Sequence, residues 1–84
     1  MAAIWTVDEI SEEVKRIGKT PLPDHMVARA ALVNSEAGKL TAAALDWKYH
    51  RKNGEDPEYY FQVKAMRDAA ISCAAQAIRF IENL

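Results

Sequence analysis

Two apolar seams constrain this chain more than anything else in it. Met26, Ala30, Val33, Ala37, Leu40, Ala44 and Trp47 recur at alternating steps of four and three, and Val63, Met66, Ala70, Cys73, Ala77, Phe80 and Leu84 keep the same rhythm. That spacing puts each set on one stripe of a helix that packs lengthwise against another. Between the seams, Asn53-Gly54-Glu55-Asp56-Pro57 is a strong stop and restart. Asn-Gly turns the chain, Asp56 caps the next helix and Pro57 takes its first position. The pattern predicts a long antiparallel helical hairpin, with one helix from about 22 to 52 and the next over 57–83.

A short amphipathic helix is expected ahead of the hairpin, over 7–17. Thr6 and Glu9 have capping-box spacing, and Trp5 and Ile10 sit where a hydrophobic staple would. Ile10, Val14 and Ile17 make one apolar stripe, Glu12, Glu13, Lys15 and Arg16 take the wet side, and Gly18 offers a left-handed cap. Lys19 to Pro23 is then a connector, since Pro21 and Pro23 fit only the first turn of a helix. Thr20 or Asp24 caps the second helix. The fold class is all-α, in one domain spanning 1–84.

Length then argues for company. A helix of roughly 27 residues is about 40 Å long, whereas a compact globule of this size has a radius of gyration of about 12 Å. Apolar residues also lie off the seams, at Ala31, Ala42, Ala43 and Leu45 on the second helix and at Ile71, Ala74, Ile78 and Ile81 on the third. An apolar arc that wide needs further partners. A homo-oligomer is expected, a dimer or tetramer in which hairpins pair into a four-helix bundle. Gly38 costs its helix about 1 kcal/mol against alanine, and close helix approach alongside Ala37 and Ala42 is the expected reason.

The formal charge of −1, from 11 basic and 12 acidic side chains, gives no field for holding a long nucleic acid. The lone Cys73 cannot form an internal disulfide, which suits a reducing cytosol, and its place on the seam makes it core. Met1 to Trp5 lacks the basic region of a targeting signal. The longest apolar run, Ala69 to Ile78, falls well short of the ~20 residues of a membrane span. A soluble cytoplasmic protein with no membrane partner is expected. Neither His25 nor His50 has a second soft ligand at zinc spacing.

Chemistry would sit where polar residues approach the seam. If the turn centres near Gly54 and Glu55, Glu36 lies opposite Cys73 and Ala74, and Lys39 opposite Ile71 and Ser72, so Glu36, Lys39, Asp68 and Ser72 can form one polar patch. The plainer reading is an ion pair of Lys39 with Asp68 or Glu36. A second cluster is Lys48, Tyr49, His50, Arg51 and Lys52, with Tyr59 and Tyr60 beyond the turn. Basic groups suit a helix carboxyl end. As a site, Lys48 and Arg51 would hold phosphate while Tyr59 stacks on a base.

The block Leu32-Val33-Asn34-Ser35-Glu36-Ala37-Gly38-Lys39-Leu40 resembles the signature helix of the MazG-like, all-α nucleoside triphosphate pyrophosphohydrolases, whose motif reads Leu-x-Glu-Glu-x-Gly-Glu-Leu. Ala70 to Ile81 resembles that family's Glu-x-x-Asp helix with its alanine-rich tail. The resemblance implies a helical bundle in which two carboxylate pairs hold Mg²⁺ against substrate phosphates. Carried over by position, only Glu36 keeps its acid, as a weak metal ligand. Lys39, Ala69 and Ser72 stand at the other three places, and Asp68 is displaced by one residue, about 100° around the helix. The implied protein is a MazG-like chain with a degenerate Mg²⁺ site. It would bind a nucleotide or related phosphate ligand through Lys39, without efficient hydrolysis and without a cofactor.

Two alternatives stand beside that reading. One is an active pyrophosphohydrolase with an unorthodox Mg²⁺ site, in which Glu36 and Asp68 are catalytic. The other is a non-enzymatic helical oligomer acting as an interaction or regulatory module. A compact, single-domain form of such an enzyme family also implies a phage or mobile-element setting.

Overall fold

The computed structural model describes residues 4–50 and 53–84, with side chains from Thr6 onward. It is all-helical: α1 spans Ile4–Ile17, α2 Met26–His50 and α3 Pro57–Glu82. α3 is the middle element. It packs against both α1 and α2, which do not pack on each other. Near the turn, Gln62 Nε2 donates to Asp46 Oδ2 at 3.1 Å and to the His50 carbonyl at 3.0 Å. At the far end Arg29 Nη1 donates to the Asn83 carbonyl at 3.1 Å. The molecule measures 45 × 27 × 21 Å with a radius of gyration of 14.5 Å, against about 12 Å for a compact chain of this length.

The start of α3 is built from atoms adjacent in sequence. Asp56 is extended (φ −78°, ψ 130°), its Oδ1 accepts the Glu58 N–H at 2.9 Å, and Pro57 follows at the first helical position. Asn53 makes the turn, its carbonyl accepting from Asp56 N at 2.8 Å and its Oδ1 from Glu55 N at 3.1 Å. No glycine among the described residues has positive φ, so Gly54 supplies no left-handed step.

The other helix ends depart from expectation. α1 already includes Ile4, so Thr6 lies inside it and caps nothing. Glu9 is drawn away to Arg67 on α3, a bidentate partner stronger than an orphan backbone donor. The Trp5 half of the expected staple lies outside the described side chains. Gly18 is not left-handed. Its N–H continues the helix to the Val14 carbonyl at 2.9 Å, and an added Cβ would meet that same oxygen at 3.1 Å.

α2 starts at Met26, later than expected, with neither Thr20 nor Asp24 as its cap. His25 takes that role. Its Nδ1 accepts the Val27 N–H at 3.2 Å and its carbonyl accepts from Arg29 N at 3.0 Å. The cause is the connector, where the prolines hold an extended path and Arg29 Nε binds the Pro23 carbonyl at 2.6 Å. The expected run to Lys52 ends outside the described residues. α3 closes at Glu82 with Asn83 as its cap.

The seams are rotated from where the repeat put them. On α2 the expected Val33, Ala37, Leu40 and Trp47 are shielded, joined by Ala28, Arg29, Leu32, Glu36 and Ala43, while the expected Met26, Ala30 and Ala44 are exposed. On α3 the deepest row is Ile71, Ala75 and Arg79. A helix between two partners buries most completely the row that faces both, and Ile71 was off the expected seam for that reason. Among the described side chains the buried hydrophobic residues are Ile17, Ile71 and Ala75, and α2 contributes none. No described helix is long and apolar enough to cross a membrane.

Candidate functional site

The four polar residues of the expected patch fall into two separate pairs. On α2, one helical turn brings Lys39 Nζ to 3.0 Å from Glu36 Oε1. Glu36 belongs to the shielded row, its side chain 19% exposed, while that of Lys39 is 66% exposed. The lysine therefore reaches back over a half-buried acid. On α3, Asp68 and Ser72 line a groove against α1, with Ile71 at its base and Asp8, Glu9, Glu12, Glu13 and Arg16 around it. No hydrogen bond or ion pair joins Glu36 or Lys39 to Asp68 or Ser72 among the described residues.

Most charges in that groove are tempered by a neighbour. Asp68 Oδ2 accepts from Lys64 Nζ at 2.6 Å. That hydrogen bond, and then the carboxylate charge, raises the Lys64 amine above its ordinary value. A raised lysine contributes while it is protonated, so the pair is intact at neutral pH and weakens only as pH climbs through the folded-state value, in the alkaline range. Arg67 and Glu9 tie α3 to α1, with Nη2 at 3.0 Å from Oε1 and Nη1 on Oε2. The hydrogen bond that Arg67 donates to Glu9 raises the guanidinium further, so it stays charged at any ordinary pH. Glu12 pairs with Lys15, and Glu13 with Arg16.

These donors do not suit Mg²⁺. Octahedral coordination wants carboxylates with free oxygens and room for water. Glu36, the one acid retained from the resemblance, shares its oxygen with an ammonium, and no group of three or more His, Cys, Asp or Glu among the described residues could hold a metal. Along α1 the acids Glu9, Glu12 and Glu13 are each paired with a cation, so the groove offers a ligand no concentrated charge of either sign.

At the tip, Lys48 Nζ lies 5.0 Å from the centroid of the Tyr49 ring, a cation–π contact. Tyr59 is half-buried at the start of α3, and Tyr60 meets Phe61 edge-to-face at 5.6 Å. Arg51 lies outside the described residues. Among the described residues, no cation–π contact joins Lys48 to Tyr59.

Two arginines that the sequence pattern did not single out reach backbone carbonyls of other segments. Arg79 is buried in the Ile71–Ala75 row, and Arg29 sits in the first turn of α2. The signal was available for Arg29, since a cation opposes the dipole at a helix start. Arg79 was hidden in an alanine-rich stretch whose facing row was assigned to another stripe. Both line a pocket with Gly18, Thr20 and Glu82. Compared with protein-family models, curated proteins and solved structures, the chain matches none of them.

Proposed function

We propose that this chain is a non-catalytic interaction module that works as a homo-oligomer, its long antiparallel hairpin pairing with that of a second copy in a four-helix bundle. One observation carries the reading. α2 is 25 residues long and buries none of them, in a chain of which 50% is hydrophobic. The accessible surface is 6177 Å², whereas a folded monomer of this mass exposes about 5,000 Å². The excess, roughly 1,000 Å², is comparable to the ~800 Å² that each partner gives to a standard interface.

The face for that contact runs along both long helices. Ala30, Val33, Asn34, Ala37, Ala77, Phe80 and Ile81 line an apolar groove of about 460 Å³. Its alanines leave a furrow that the ridge of another helix can enter. Ile78 and Ile81 stand exposed on α3, at 39% and 66%. With a formal charge of −1, two copies meet without appreciable repulsion.

The MazG-like resemblance fits as that of a member whose cation centre has closed. The Lys39–Glu36 pair supports this, because the retained acid is neutralised within its own helix. Any nucleotide or phosphate ligand is then held without efficient hydrolysis. Light scattering over a concentration series tests the proposal. A dimer or tetramer is expected for the native chain, and a monomer for Ile81→Glu, which sets a charge in the groove. The native oligomer, given nucleoside triphosphates and Mg²⁺, should release no pyrophosphate. A folded monomer at every concentration would overturn the assembly, and steady Mg²⁺-driven release would restore the enzyme.

A further inference from the structure

We propose that Arg29 and Arg79 form a binding site for a phosphate-type oxyanion, in the pocket where the α1–α2 connector passes the end of α3. None of the candidate ligand-binding residues expected from the sequence lines it, and it stands independently of the oligomer. The pocket has a volume of about 450 Å³. Arg79 is 8% exposed, a guanidinium buried to the degree of core residues. Its Nη2 donates to the Thr20 carbonyl, while Arg29 donates to the Pro23 carbonyl from Nε and to the Asn83 carbonyl from Nη1.

Those bonds account for where the arginines sit: Thr20 and Pro23 offer connector carbonyls, and Asn83 offers one at the carboxyl end of α3, where cations are favoured. They do not account for the charge. Carbonyls satisfy donors but do not neutralise a guanidinium, and a buried charge is costly unless an opposite charge meets it. Each arginine has five N–H donors, so most remain after the contacts above. Neither forms an ion pair among the described residues, and Glu82, which lines the same pocket, pairs with neither of them. The α2 helix also starts here with no acid in its first turn, so the positive end of its dipole adds to two cations.

Two guanidiniums against the single carboxylate of Glu82 leave the lining side chains with one positive charge in excess, which suits an anion, and the two forks indicate which kind. They come from different helices and line the same pocket. A carboxylate has two oxygens and saturates one fork, whereas the tetrahedral oxygens of phosphate can meet both. Free phosphate and the terminal phosphate of a small ester share that chemistry.

Thermal unfolding of the full chain tests the site. Inorganic phosphate is compared with sodium chloride and acetate at equal ionic strength. Saturating phosphate should raise the midpoint by about 5 °C or more, with little change from the other two salts. Arg29→Gln, at a half-buried position that keeps a donor, should fold and lose the shift. This variant also separates site binding from the general stabilising action of phosphate on proteins. Because Arg79→Gln risks unfolding, the second measurement is phosphorus NMR on the native chain, where bound phosphate should broaden and the broadening should vanish in Arg29→Gln. Phenyl phosphate supplies the ester arm: a shift matching that of inorganic phosphate assigns an ester end, and a weaker one assigns the free anion. An equal response to acetate, or a phosphate shift that survives Arg29→Gln, would overturn the site.

Discussion

At Gly38 a Cβ would meet nothing within 4 Å, so close approach within one chain does not explain this glycine. It sits exposed in the middle of α2, where the backbone freedom of glycine costs about 1 kcal/mol relative to alanine. Gly38→Ala should therefore stabilise the protein by about that amount, read from the urea midpoint at unchanged slope. A loss of stability instead would put the backbone of a second copy against this position. Residues legible in the sequence were those whose partners are sequence neighbours. Asp56 caps with its own carboxylate and Pro57 needs no donor, so both take the places their spacing dictates. Thr6 and Glu9 carried an equally good local signal, but Glu9 found a guanidinium 58 residues away. Local spacing cannot register such a competitor. Glu36 and Lys39 could be read as a pair because three residues separate them. Where Asp68 and Ser72 would lie depended on α1, whose docking left no trace in the hairpin pattern.

At the scale of elements, heptad spacing identified three helices but not the rotation of each about its own axis. That rotation is fixed by the number of partners. α2 has one, so its shielded row is only half-covered and none of its residues is buried. α3 has two, and its deepest row turned toward the space between them, bringing in Ile71 and Ala75. Ala75 is fully buried at 0% exposure, so its small side chain sets how closely the neighbouring helices approach. Ala75→Leu should cost about 1–3 kcal/mol, since added methylenes in a tight site force backbone shifts. The loss is measured by urea unfolding. An unchanged midpoint would mean that α1 is loosely seated and that Ile17 is shielded by something other than close packing at α3.

For the whole molecule the governing quantity is how little is buried. A small domain is marginal even with a well-filled core, and here the buried hydrophobic residues among the described side chains are Ile17, Ile71 and Ala75. Meanwhile Met26, Val27, Leu45, Phe61, Ile81 and Leu84 each stand at least 47% exposed. Charge pairs do not make up the difference, since those on α1 and α2 are short-range and exposed, of a kind worth at most about 1 kcal/mol each. If association supplies the missing burial, unfolding is coupled to dissociation and obeys mass action. A tenfold rise in concentration then adds about 1.4 kcal/mol per dimer, which for a two-chain unit of this size lifts the thermal midpoint by roughly 3–6 °C. Ile81→Glu should flatten that dependence and lower the midpoint at every concentration, because the charge removes the contact and not the fold of α3. Calorimetry from micromolar to millimolar protein distinguishes the cases. A midpoint independent of concentration in the native chain would require the isolated monomer to be stable without the contact, and the apolar groove of α2 and α3 would then have to be open in the working protein.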